Sequence, residues 1–155
     1  MANTDNECSG LKINDLHASS KDTLGDCFNH QKEMQEKTYG YDFSNLTIGE
    51  IVDFCFMNKH ALEDEISEFF DALGGVKDGG GNAAWKPWKK ENSHIRQLKI
   101  SDLSNNDLKE LKMEYVDMFH FFLNFGAVIG MTPKELYNYY MSKAQENKDR
   151  QKRGY

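Results

Sequence analysis

The chain has 155 residues and a formal net charge of −6, from 19 basic and 25 acidic side chains. With 39% hydrophobic and 28% charged residues it is globular and long enough for a real core, and two prolines argue against a loop-rich all-β fold. The acidic balance argues against a protein that coats nucleic acid, which needs a basic surface, but it leaves room for a nucleotide ligand.

Residues 1–19 are polar, lack a clear period and read as a flexible lead-in to a single domain over 20–155. Their polarity leads us to expect no signal peptide, and Ala2 leads us to expect no N-myristoylation. Cys8, Cys27 and Cys55 are too scattered for a disulfide framework or a zinc site, so reduced thiols and a cytoplasmic location are expected. The first helix is predicted from Thr23, as N-cap, to about Tyr39-Gly40. Leu24, Cys27, Phe28, Gln31, Met34 and Gln35 lie on one face. The second opens at Thr47 and Glu50, a capping box, and carries the stripe Ile51, Phe54, Cys55, Leu62, Ile66, Phe69, Phe70 and Leu73 before Gly74-Gly75. A glycine-rich insert at about 74–84, with Gly79-Gly80-Gly81, interrupts the pattern and leads into Trp85-Lys86-Pro87-Trp88-Lys89-Lys90.

The third helix is predicted from about Asn106 to Ile129, closed by Gly130. The fourth starts with Thr132 as N-cap, Pro133 at N1 and Glu135 at N3, and buries Leu136, Tyr137, Tyr140 and Ala144. Composition makes the residues after about Lys148 a frayed polar tail. No β-strand and no internal repeat is legible. The most apolar stretch, 118–131, is short and holds His120 and Asn124, so no membrane span is expected. The fold class is all-α, a four-to-five-helix bundle with one long connection.

Two carboxylate pairs carry the chemistry. Glu65 and Glu68, and Glu114 and Asp117, are each three residues apart on strongly apolar helices. Four inward-facing carboxylates cannot all stay ionised without compensation, which a hard divalent cation, Mg²⁺ or Mn²⁺, supplies. The competing reading is four solvated carboxylates on outer faces. His120 and Asn124 continue the same face, as a hydrogen-bonded core histidine or as ligand contacts. Lys143, Asn147, Arg150 and Gln151 share a face of the last helix. They could meet a polyphosphate or simply solvate a helix C-terminus. Trp85 and Trp88 could stack on a base, with Lys86 near phosphate, or plug the end of the bundle. Gln31 and Gln35 could read a base edge or be ordinary exposed amides.

Glu-x-x-Glu followed by Glu-x-x-Asp resembles the all-α nucleoside triphosphate pyrophosphohydrolases, the superfamily of MazG and the dimeric dUTPases. Three strings resemble the dimeric dUTPase branch: 114–121, Trp85-Lys86-Pro87-Trp88, and 143–151 ending in Gly154-Tyr155. The likeness covers roughly 28–155. It departs in the glycine-rich insert, in Pro87 where the family has tyrosine, and in a chain that stops at Tyr155 where several relatives continue.

The resemblance implies Mg²⁺-dependent hydrolysis of dUTP to dUMP and pyrophosphate, by water attack at the α-phosphorus. Glu65, Glu68, Glu114 and Asp117 would hold two or more Mg²⁺ ions, with Mn²⁺ as a substitute, and Glu65 would orient or deprotonate the water. Lys86, Lys143, Asn147 and Arg150 would meet the phosphates. Gln31, Trp88, His120, Asn124 and Tyr155 would form the base and sugar pocket. It also implies a homodimer with composite sites, with no nucleic-acid or membrane partner. Such compactness fits a bacterial or phage-infected host cytoplasm. The alternatives are a MazG-like or dCTP-type pyrophosphohydrolase and, from another class, a non-enzymatic helical interaction module.

Overall fold

The computed structural model of the chain describes residues 20–74, 76–77, 80–81, 84–90 and 93–154. The N-terminal lead-in with Cys8, much of the glycine-rich insert, and Tyr155 lie outside the described residues. The fold is all-α. Among the described residues the α-helices are α1 (Thr23–Lys37), α2 (Ile48–Ala72), α3 (Asn105–Val128) and α4 (Pro133–Lys152). The 3₁₀ turns Ile95–Gln97 and Ile100–Asp102 precede α3. Within the insert, β1 (Val76–Lys77) pairs antiparallel with β2 (Gly80–Gly81), a two-residue ladder that periodicity cannot reveal. No helix among the described residues is long and apolar enough to cross a membrane.

Helix starts follow their capping chemistry. The N-cap of α1 is Asp22, not Thr23: its carboxylate accepts from the Gly25 amide at 2.9 Å. An aspartate one residue upstream satisfies the free amide that the threonine was expected to take. Thr47 Oγ1 accepts from the Glu50 amide at 3.3 Å and Glu50 returns to the Thr47 amide at 2.8 Å. Thr132 and Glu135 repeat that box at α4, with Pro133 in the first turn. At α3 Ser104 accepts from the Asp107 amide at 3.1 Å. Gly130, at φ 72°, supplies the left-handed residue after α3 that a side chain would resist.

The contacts divide the chain into two compact units, with the boundaries inside α2, between Cys55 and Phe56, and inside α3, between Phe122 and Leu123. The unit of residues 56–122 holds the body of α2, the insert and most of α3. The other contains α1, the start of α2, the end of α3 and α4. In this second unit Phe54 is buried and takes Tyr41 and Phe43 edge-on at 4.8 and 5.3 Å between centroids. Phe28 is buried against Gly126, where a Cβ would come within 2.9 Å of the ring.

Two expectations fail on α4. Tyr137 and Tyr140, expected on its buried side with Leu136 and Ala144, are both exposed, while Leu136 and Ala144 are partly buried. The polar tail does not fray at Lys148. Glu146 pairs with Arg150 at 3.1 Å and with Arg153 at 2.8 Å, and the Arg153 amide closes onto Asp149 and Arg150 carbonyls, so the helix reaches Lys152. Alternating charge four residues apart offsets the like-charge repulsion that composition alone suggests.

Candidate metal centre

α2 carries Glu65 and Glu68 on one face because residues three apart fall together on a helix. α3 does the same for Glu114 and Asp117. The fold brings one oxygen each from Glu65, Glu68 and Glu114 within 4.8 Å of one another. Glu65 and Glu114 are half-buried, whereas Glu68 is exposed, so the expectation that all four carboxylates face inward is corrected for Glu68. Asp117 stands outside this close group of three. It lies 3.7 Å from His120 Nδ1, and His120 itself is exposed rather than a core histidine.

Asp117 nevertheless acts on the group electrostatically. Burial, then the charges of Glu68, Asp117 and Asp64, push the Glu65 carboxyl up to about 7. Burial, then Glu68, Asp117, Glu65 and Glu110, push Glu114 to about 7 as well. Among the described residues none of Glu65, Glu68 or Glu114 is ion-paired with a basic side chain. Converging carboxylates of this kind need protons or a cation. An all-oxygen, all-carboxylate donor set fits a hard divalent ion such as Mg²⁺ or Mn²⁺.

In the same unit, Trp85 donates from Nε1 to Asp71 Oδ1 at 2.8 Å, and Lys86 Nζ lies 4.5 Å from the Trp85 ring centroid. Trp88 meets Trp85 edge-on at 6.0 Å and is 68% exposed. The alternative that both tryptophans plug a core is therefore corrected: the Asp71 carboxylate anchors Trp85 at the surface and leaves Trp88 presented.

In the other unit Gln31 and Asn124 are brought together. Gln31 Nε2 donates to Asn124 Oδ1 at 2.9 Å, and the two residues are 3% and 1% exposed. Gln35 is buried beside them on the α1 face, so neither glutamine is an ordinary exposed amide. Lys143, Asn147 and Arg150 project from α4 into solvent, and an open surface cleft of ≈ 460 Å³ is lined by Asn147, Lys148, Arg150 and Gln151. Tyr155, assigned to the base and sugar, lies outside the described residues.

Sequence reasoning missed two buried polar residues, Asn58 and Glu110. The signal was present in spacing. Asn58 stands between Phe54 and Leu62 at steps of four, and Glu110 stands one turn before Glu114.

Fold and centre together define an all-helical protein with a carboxylate centre built from two helices. No family model matches the chain, and no solved structure matches it. It is 40% identical over 111 residues to a dCTP pyrophosphatase of Enterobacteria phage LZ5, covering 70% of this chain and 64% of that protein's length. It is 32% identical over 149 residues to a dCTP pyrophosphatase of Enterobacteria phage T4, covering 91% of this chain and 87% of the relative. A phage T4 protein named DNA replication protein is 31% identical over 137 residues, which are 83% of this chain and 35% of that protein. The chain belongs to the phage dCTP pyrophosphatase family. The first two of these relatives carry the dCTP name given above as the alternative, rather than the dUTP name that the sequence motifs suggested.

Proposed function

We propose that the protein is a Mg²⁺-dependent pyrophosphohydrolase of deoxynucleoside triphosphates, with dCTP the favoured substrate. The observation that carries this reading is the convergence of Glu65, Glu68 and Glu114 within 4.8 Å, in a chain two of whose relatives are named dCTP pyrophosphatase. The reaction is dNTP plus water to dNMP plus pyrophosphate. The water oxygen bonds to the α-phosphorus, the bond from that phosphorus to the α,β-bridging oxygen breaks, and the water's proton leaves to a base.

Glu65, Glu68, Glu114 and Asp117 would hold Mg²⁺, which when bound supplies Lewis-acid neutralisation of phosphate charge and acidifies water. Glu65 is the proposed base, as the first carboxylate of the Glu-x-x-Glu pair. Lys86, Lys143, Asn147 and Arg150 are assigned to phosphate oxygens, Arg150 by virtue of its planar fork. Gln31, Asn124, His120, Trp88 and Tyr155 are assigned to base and sugar. The Gln31–Asn124 pair offers amide donors and acceptors suited to a pyrimidine edge, and the exposed Trp88 face offers a stacking surface. The reading includes a homodimer, supported by the apolar surface that Tyr137, Tyr140 and Met141 leave exposed on α4.

A second reading, dUTP as substrate, is favoured by the closing string from Lys143 to Arg150 and Gln151. Pyrophosphate release from each of dATP, dCTP, dGTP, dTTP and dUTP, with and without Mg²⁺, tests both. Release that is greatest with dCTP and needs Mg²⁺ is expected. A profile led by dUTP would favour the second reading, and no release from any of them would return the chain to the helical interaction module.

A further inference from the structure

Glu110 lies on α3 one turn before Glu114 and is 5% exposed. Residues four apart share a helix face, so Glu110 extends the acidic face of α3 by one turn. Among the described residues its Oε2 is buried with no hydrogen-bond partner. A buried carboxylate oxygen that has lost its hydration and gained no donor is destabilising, and such groups persist where a cation or a proton completes them. The charge of Glu110 is among those that bear on Glu114. Glu110 contributes no oxygen to the close group of Glu65, Glu68 and Glu114, so it stands one turn outside that group on the same helix.

We infer that Glu110 is a fifth, outer carboxylate of this centre, its unpartnered Oε2 meeting a water in the shell of a divalent cation held there. The inference rests on the metal reading above and deepens it. Four carboxylates balance two divalent ions. A fifth tightens the hold on the ions before a nucleotide arrives with its own negative charge.

The test is Mn²⁺ binding to the full chain without nucleotide, read by electron paramagnetic resonance of free Mn²⁺, with the apo melting temperature measured alongside. Glu110→Gln is expected to weaken Mn²⁺ binding by about tenfold or more, or to lose one equivalent, the range seen when partners of a metal centre are removed. Its apo melting temperature should hold or rise, because an uncompensated buried charge has gone. Wild-type affinity and stoichiometry in Glu110→Gln, while Glu68→Gln loses Mn²⁺, would overturn the role of Glu110 and leave the metal reading standing. Wild-type binding in both variants would overturn both. Should Glu110→Gln not fold, Glu110→Asp keeps the charge and withdraws it by one methylene. Weakened Mn²⁺ binding in that variant supports the inference, and unchanged binding rejects it.

Discussion

At the level of single residues, the carboxylate centre governs two expectations. Glu68→Gln and Asp117→Asn keep side-chain shape and remove charge. Pyrophosphate release should fall by more than about 100-fold in each, beyond the loss typical of outer partners of a metal. Circular dichroism should be unchanged. Near-native turnover in either at saturating Mg²⁺ would remove that residue from the proposed centre. The second expectation concerns pH. Glu65 and Glu114 sit near 7 in the folded chain, against an ordinary value of 4.5. Between those values the folded state binds more protons than the unfolded one, so stability falls as pH rises. Without metal the melting temperature should drop between about pH 5 and about pH 8, and saturating Mg²⁺ should flatten that drop, because bound cation replaces the protons. A flat profile in the metal-free protein would contradict the buried, mutually repelling arrangement. The Gln31–Asn124 bond is neutral and should not share this dependence. Gln31→Ala removes one buried hydrogen bond of Asn124, at a cost of about 1 kcal/mol in urea unfolding at any pH in that range.

At the level of elements, the helix starts were legible because capping is local. Thr47 with Glu50, and Thr132 with Pro133 and Glu135, need only three residues to specify a terminus, and the helices begin there. Thr132→Ala should cost about 1 kcal/mol of stability by chemical denaturation, since one amide of α4 loses its acceptor. The Glu50 and Glu135 carboxyls are held below their ordinary range, chiefly by the backbone amide and the hydroxyl of Thr47 and of Thr132 respectively. These boxes therefore contribute above the ordinary carboxyl range and weaken as acid protonates them, opposite in sign to Glu65 and Glu114. The face of α4 was not legible. Tyr137 and Tyr140 are apolar enough to read as core, yet both are exposed, and periodicity cannot tell a core-facing tyrosine from one held at the surface. Nor could composition see that Glu146 clasps Arg150 and Arg153. Deleting residues 150–155 should cut kcat/KM by about tenfold, roughly 1.4 kcal/mol of transition-state stabilisation, if Arg150 meets phosphate as proposed. The melting temperature should barely move, since no buried residue lies in α4. Full activity in the truncated chain would make that segment dispensable.

At the level of the whole molecule, the all-α class was readable from long apolar stripes and scarce proline. The division into two compact units was not, because its boundaries fall inside unbroken helices where no composition shift marks them. The three close carboxylates were readable from spacing alone. Glu110 and Asn58 also stand at helical spacing, but spacing alone did not mark them as buried, because a polar residue inside an apolar stripe looks like an edge of the solvent face until packing buries it. If the centre binds metal, Mg²⁺ at about 100 times its dissociation constant should stabilise the native state by about 2.7 kcal/mol, roughly 5–10 °C in melting temperature for a chain of this length. No shift in a thermal scan would leave the centre without a cation. The tryptophan pair gives a way to watch this. The chain has two tryptophans, Trp85 and Trp88, and both lie in the unit of Glu65, Glu68 and Glu114. Their rings meet edge-on at 6.0 Å, close enough for their transitions to couple, and Asp71 on α2 holds one of them. Excitation selective for indole therefore interrogates only the half of the polypeptide that carries the acidic centre. The native sequence comes already labelled there, and melting of that half can be timed without attaching a dye.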